Sequence, residues 1–177
     1  MRFQKPGMGR LFLFLLVVGS LTGYSQDKPA APQSFRITGE VKKEIKVTID
    51  DLASYKGGLM KDVVITNHLG EVKSKIKKLT GVLLRDVLAN VEIKSESPRD
   101  LSACYFVCKA TDGYTIAYSW NEVFNNPAGE SIYLITTKDD IEARDMEESI
   151  LMFSPRDYKT GRRYLKNLGS IEVKRAF

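Results

Sequence analysis

From Phe35 onward the apolar residues recur in short alternating runs, each cut off within a few residues by turn chemistry, and only brief stretches shift to a helical period. Alternation at period two buries one face of a strand and wets the other, so a chain patterned this way folds as sheets packed on one side. Phe35 to Val41 and Ile45 to Ile49 carry this pattern. Asp62-Val-Val-Ile-Thr66 reads as a third strand that turns around Asn67-His-Leu-Gly70 into a return strand over Val72 to Leu79. Ala103 to Lys109 has the β-branched and aromatic content of a strand, Thr111-Asp-Gly113 is a turn signal, and Tyr114 to Tyr118 pairs back. Ile132 to Thr136 and a terminal segment near Ile171 to Lys174 complete the strands, with the apolar run Ile150-Leu-Met-Phe153 and the loop Ser154 to Gly161 between them.

The helices are expected to be short. Asp50 is placed to cap a helix over Asp51 to Tyr55 that ends at Gly57-Gly58. Thr80 to Ala89 sets Leu84, Val87 and Leu88 on one helical face, and Ser119-Trp-Asn-Glu122 is a capping box opening a helix through Phe124. The acidic segment Lys138 to Glu148 is expected to be an exposed loop. This order of elements predicts a β-rich α+β fold, a single domain over residues 35–177 with two or three short helices packed on the strands.

Ahead of that domain, Arg2, Lys5 and Arg10 stand without any acid before the apolar run Leu11 to Val18, which is too short to span a bilayer. This is the pattern of a secretory signal over residues 1–25. Gly23 and Ser25 bracket Tyr24 as small residues, which places cleavage before Gln26, and no cysteine follows to accept a lipid. Residues 26–34, with Pro29 and Pro32, then read as a flexible leader. The expected product is periplasmic or secreted, with no stable membrane insertion after cleavage. Removing the signal takes three of the 27 basic residues and none of the 22 acids, so the net charge of +5 falls to about +2 and nucleic acid is not an expected partner.

Cys104 and Cys108 share the strand Ala103 to Lys109. Four extended steps separate their Cα atoms by about 13 Å, beyond the ~7 Å a disulfide bridges, so they should not pair with each other. Two readings stand: small thiols on the buried face of a strand, or a metal or redox pair. Lys73, Lys75 and Lys77 project from one face of their strand while Val72 and Ile76 face the other way. That stripe is either a docking face for an anionic surface or a solvated edge whose charges discourage strand pairing.

Common catalytic constellations are missing. His68 is the single histidine, in a turn, and no phosphate-cradling glycine motif occurs. The loop before Leu165 is more suggestive: Arg156, Lys159, Arg162 and Arg163 converge near Tyr158 and Tyr164, and Gly161 would let backbone N–H groups approach an anion. The alternative is a surface loop whose arginines pair with the acidic segment.

The order of several motifs resembles the molybdopterin-binding oxidoreductase domain family, the sulfite oxidase fold. The carrying residues are Phe35-Arg-Ile-Thr-Gly-Glu-Val41, Val47-Thr-Ile-Asp-Asp-Leu52, Leu79-Thr-Gly-Val-Leu-Leu-Arg-Asp-Val-Leu88, Ala110-Thr-Asp-Gly-Tyr114, Phe153-Ser-Pro155 leading to Gly161-Arg-Arg-Tyr-Leu165, and Ile171-Glu-Val173. The resemblance implies a fold of the sulfite oxidase molybdopterin-binding type and molybdopterin as the family's cofactor. It also implies that a cysteine thiolate after the first short helix would ligate the metal; here that segment is Val63-Val-Ile-Thr-Asn-His68, without cysteine.

Taken together, the sequence predicts an exported binding or accessory module with no cofactor of its own. A cleft bordered by Asn67, His68, Asp112, Tyr114, Arg156, Lys159, Arg162 and Arg163 would receive a small anionic ligand or a periplasmic protein partner, with no catalytic or metal-ligating residue assigned. By resemblance the alternative is a molybdopterin-dependent oxidoreductase with non-cysteine ligation, Arg162 and Arg163 contacting the pterin phosphate. A purely structural role is the third reading.

Overall fold

The computed structural model describes residues 31–177, together with Met1 and Phe3. The expected signal and its cleavage point lie outside the described residues. Of the expected leader, the last part is already held by the domain: the Pro32 carbonyl accepts from Ser149 Oγ, and Ile49 N donates to the Gln33 carbonyl at 3.1 Å. Among the described residues no helix is long and apolar enough to cross a membrane.

Two sheets share one hydrophobic core. The first has the order β2-β1-β10-β5-β6, built from β1 (Ser34–Gly39), β2 (Ile45–Thr48), β5 (Cys104–Ala110), β6 (Thr115–Ser119) and β10 (Leu168–Arg175). β1 and β10 run parallel and the remaining neighbours antiparallel. Register aligns the inward side chains across strands: Ile37 lies beside Ile171, Ile171 beside Cys108, and Cys108 beside Ile116. One rung further, Gly39, Val173, Phe106 and Tyr118 form the next row. Gly39 is required there, since it has φ +91° and a Cβ would sit 2.2 Å from the Val173 carbonyl oxygen.

The second sheet has the order β3-β4-β7-β8, with β9 also paired to β7. Its strands are β3 (Gly58–Thr66), β4 (Val72–Leu83), β7 (Tyr133–Lys138), β8 (Ile141–Glu142) and β9 (Leu151–Phe153). It contributes Leu79, Val82, Leu134, Ile135 and Met152 to the core, all nearly inaccessible to solvent. Each such side chain adds roughly 1.5–3 kcal/mol of transfer free energy, which is what holds short strands with so little helix around them.

Among the described residues three short α-helices close the gaps, and each departs in part from the sequence reading. α1 (Ile49–Ala53) starts earlier than expected because Thr48, not Asp50, is its cap. Thr48 Oγ1 accepts from Asp51 N at 3.1 Å, and the Asp51 carboxylate accepts from the Thr48 hydroxyl at 2.7 Å and from Thr48 N at 2.8 Å, two bonds that hold the Asp51 carboxyl below the usual carboxylate range. α2 covers only Leu84–Leu88 of the expected Thr80 to Ala89 helix, while Thr80 to Leu83 extend β4. Gly81 explains the extension, because a Cβ there would come within 2.8 Å of the Leu134 carbonyl oxygen on the paired strand. α3 (Trp120–Phe124) is capped by Ser119, with Oγ accepting from Glu122 N at 3.0 Å, but the expected capping box is only half formed because the Glu122 carboxylate bonds Arg163 instead of the Ser119 N–H.

The acidic segment is not simply an exposed loop. β8 folds part of it back onto β7, Ala143 and Met146 are buried, and the half-buried Glu148 accepts from Lys138 Nζ at 2.5 Å.

Candidate functional site

The loop from Ser154 to Tyr164 leaves the core at β9 and lies across the free edge of β3. Thr160 fixes it there: its buried hydroxyl donates to the Val64 carbonyl at 2.9 Å and accepts from Thr66 N at 2.9 Å, satisfying two edge groups of an otherwise unpaired strand side. Gly161 follows so closely that a Cβ would lie 1.9 Å from the Thr66 carbonyl oxygen. The glycine therefore permits the close contact with β3.

Arg163 is the second anchor. Its Nε donates to Asp157 Oδ2 at 2.7 Å, Nη2 donates to Asp157 Oδ1, and Nη1 donates to Glu122 Oε1 at 2.5 Å. The guanidinium lies 4.5 Å from the centre of the Tyr118 ring. The bond to Asp157, opposed by partial burial and reinforced by Glu122, raises the pKa of Arg163 above its ordinary value. Beneath it, burial pushes the Tyr118 phenol well above the ordinary tyrosine range, and its hydroxyl shares a 2.9 Å hydrogen bond with Ser154 Oγ. With two carboxylates around one cation, Arg163 contributes no net positive charge to a ligand. Its partners are Asp157 in its own loop and Glu122 on α3, rather than the acidic segment 138–148.

Of the residues predicted to border a cleft, Tyr114 meets the loop at Arg162 and Asn67 lies beside Gly161, but several side chains are spent locally. Asn67 Oδ1 accepts from Leu69 N at 2.9 Å and Glu71 N at 3.0 Å, and its Nδ2 donates to Glu71 Oε2 at 2.7 Å, so the side chain builds the β3–β4 turn. Asp112 Oδ1 accepts from Tyr114 N at 2.9 Å in the β5–β6 turn. Tyr114 reaches the loop, its hydroxyl donating to the Arg162 carbonyl at 2.7 Å. His68 is exposed in its turn. Arg156, Lys159 and Arg162 are exposed, and Arg156 Nη1 makes a long 3.4 Å contact to the Pro127 carbonyl. Tyr158 stands fully in solvent among them.

Arg156, Lys159 and Arg162, with Tyr158 between them, accordingly form an exposed, largely cationic stretch of the loop. A recess of about 440 Å³ beside the loop is lined by Met60, Val63, Val64, Phe153, Pro155 and Thr160 among others, and not by Asn67, His68, Asp112 or Tyr114. Sequence reasoning missed the anchors Thr160, Tyr118, Ser154, Glu122 and Asp157. Only the capping position of Glu122 was visible, and nothing local marks it as the partner of an arginine 41 residues away.

Neither thiol is presented at the surface. Cys104 and Cys108 are unpaired and buried on the inner face of β5, Cys104 Sγ contacts the Asp100 carbonyl at 3.5 Å, and burial pushes the Cys108 thiol far up. Among the described residues no group of three or more His, Cys, Asp and Glu converges as a metal site. Of the two residues named for the pterin phosphate, Arg163 is neutralised by Asp157 and Glu122, while Arg162 is exposed.

The chain matches no family model and no curated protein. Among solved structures it is similar to the sulfane dehydrogenase SoxCD from Paracoccus pantotrophus, with a TM-score of 0.59 and 11% sequence identity. The likeness covers 83% of this chain and 39% of that one, and at this identity it shows the fold alone, a β-rich mixed α+β domain.

Proposed function

We propose that the chain is an exported binding module that takes a small inorganic oxyanion on the Ser154 to Tyr164 loop. The observation that carries this reading is that the loop is immobilised from within while three of its cations stay free. Thr160, Gly161 and Arg163 fix the backbone, and Arg156, Lys159 and Arg162 are displayed on that base with no carboxylate partner within ion-pair distance among the described residues. Holding cations apart in fixed positions lowers the ordering cost of binding, and guanidinium forks match the oxygen edges of sulfate- or phosphate-like anions. The sulfite oxidase resemblance and the fold likeness to a sulfane dehydrogenase both name sulfur chemistry, which favours a sulfur oxyanion over phosphate.

Calorimetric titration with thiosulfate, sulfate and phosphate tests it. Binding that is lost in Arg162→Gln and Lys159→Gln, with folding unchanged, is the expected outcome. Equal heats from both variants and the parent chain would overturn it.

A second reading, a molybdopterin-dependent oxidoreductase with non-cysteine ligation, is favoured by the fold likeness and opposed by the neutralised Arg163. Stoichiometric molybdenum or tungsten in protein purified from its own host would establish that reading over ours. Arg162→Gln is its informative variant too, because Arg163→Ala disturbs the loop under either account.

A further inference from the structure

The β3–β4 hairpin has two edges, and only one is closed. Along β3 the side away from β4 is plugged at Val64 and Thr66 by Thr160, and Asp62, with φ +51°, kinks the strand just before. Both devices blunt an edge against further pairing. Along β4 the partner β7 ends early: the last paired residues are Leu79 and Lys138. From Val72 to Lys77 no strand lies on that side among the described residues.

The first position past β7 is covered by acid. Asp139 Oδ1 accepts from both Lys77 N and Lys78 N at 3.0 Å, and Asp140 Oδ1 accepts from Lys78 Nζ at 2.7 Å. Carboxylates thus already satisfy this edge where the chain itself can reach it. Beyond that point the strand presents Lys73, Lys75 and Lys77, all exposed, with Leu69 64% and Val72 58% exposed at the tip.

We propose that the free edge of β4 over Val72 to Ile76 receives an acidic, extended segment of a partner protein as an added strand. Main-chain hydrogen bonds would supply the pairing, and carboxylates at alternate positions would face Lys73, Lys75 and Lys77. The lysines select against the other occupant of an open edge, a second copy of β4, because like charges placed opposite one another destabilise a strand pair. This surface lies on the β4 side of the hairpin, whereas the loop of the proposed oxyanion site lies against β3.

The probe is a short end-blocked peptide alternating Glu and Val, read by amide shifts and hydrogen exchange of the full domain. Expected results are protection of amides within Val72 to Ile76, a loss of about tenfold or more in affinity for the triple variant Lys73→Gln, Lys75→Gln, Lys77→Gln, and unchanged affinity for Arg162→Gln. A peptide N-methylated at alternate residues should bind at least tenfold more weakly. Equal binding of the N-methylated peptide, no binding of the parent peptide, or lysine-dependent capture by vesicles of anionic phospholipid without peptide binding would each overturn the proposal. Loss of oxyanion binding in Arg162→Gln with peptide binding intact separates this surface from the loop site.

Discussion

Replacing Arg163 with alanine removes the cation that holds the loop to α3 and leaves two carboxylates facing each other. The side chains are 22% exposed for Arg163, 17% for Asp157 and 28% for Glu122, between the buried and surface limits. Breaking a buried pair costs roughly 3–5 kcal/mol and a surface pair roughly 0–1 kcal/mol. Loss of the contact over Tyr118 adds about 0.5–1 kcal/mol, and outward rotation of the freed carboxylates recovers part of the total. A net destabilisation of about 3 kcal/mol follows, which lowers the melting temperature by roughly 6–12 °C for a domain of this size. Urea and thermal unfolding measure it, with Arg162→Ala, whose side chain is exposed, expected within about 0.5 kcal/mol of the parent. A double-mutant cycle with Asp157→Asn should show coupling above about 1 kcal/mol. If Arg163→Ala and Arg162→Ala cost the same, the loop is not anchored as described.

Thr160→Val should lose roughly 1–3 kcal/mol in the same unfolding assay, since the Val64 carbonyl and Thr66 amide would lose their partner at a half-buried edge. Gly161→Ala should cost more than Thr160→Val, because the clash is with the Thr66 backbone rather than with a movable side chain. Both cysteines should be unreactive to a thiol reagent in the native state and both titrate in denaturant, and a disulfide in the isolated protein would contradict their burial. For pH, burial alone would raise the Glu148 pKa, but the hydrogen bond and charge of Lys138 outweigh it and hold it below the ordinary value. Its contribution is therefore full above the unfolded-state pKa of about 4.3 and is lost as pH falls through the lower folded value, so Glu148→Gln should flatten the acid limb of stability against pH.

Strands with one wet face were legible because alternation is a local record of burial: Phe35 and Ile37, Ile116 and Tyr118 point inward as their spacing requires. The turns at Gly70 and Gly113 were legible for a related reason, as both residues adopt positive φ. What stayed hidden depends on neighbours far along the chain. Thr80 to Leu83 look helical beside Leu84, Val87 and Leu88, yet the paired β7 backbone keeps them extended. The acidic segment looked solvated because Ala143, Met146 and the Lys138 partner of Glu148 bury it only through tertiary contacts. At the site, the cationic loop was visible as composition, whereas the division between Arg163 as anchor and Arg156, Lys159 and Arg162 as free cations needed the positions of Glu122 and Asp157.

The proposed function requires that the anchored loop capture an anion through those exposed side chains. Backbone amide shifts of the folded domain, followed through a thiosulfate titration at constant ionic strength, test it most directly. Saturable shifts confined to residues 156–162 and to the adjoining Asn67 to Leu69 turn are predicted. Shifts that never saturate, or that centre on the apolar recess of about 620 Å³ beside Cys104 and Arg175, would contradict it.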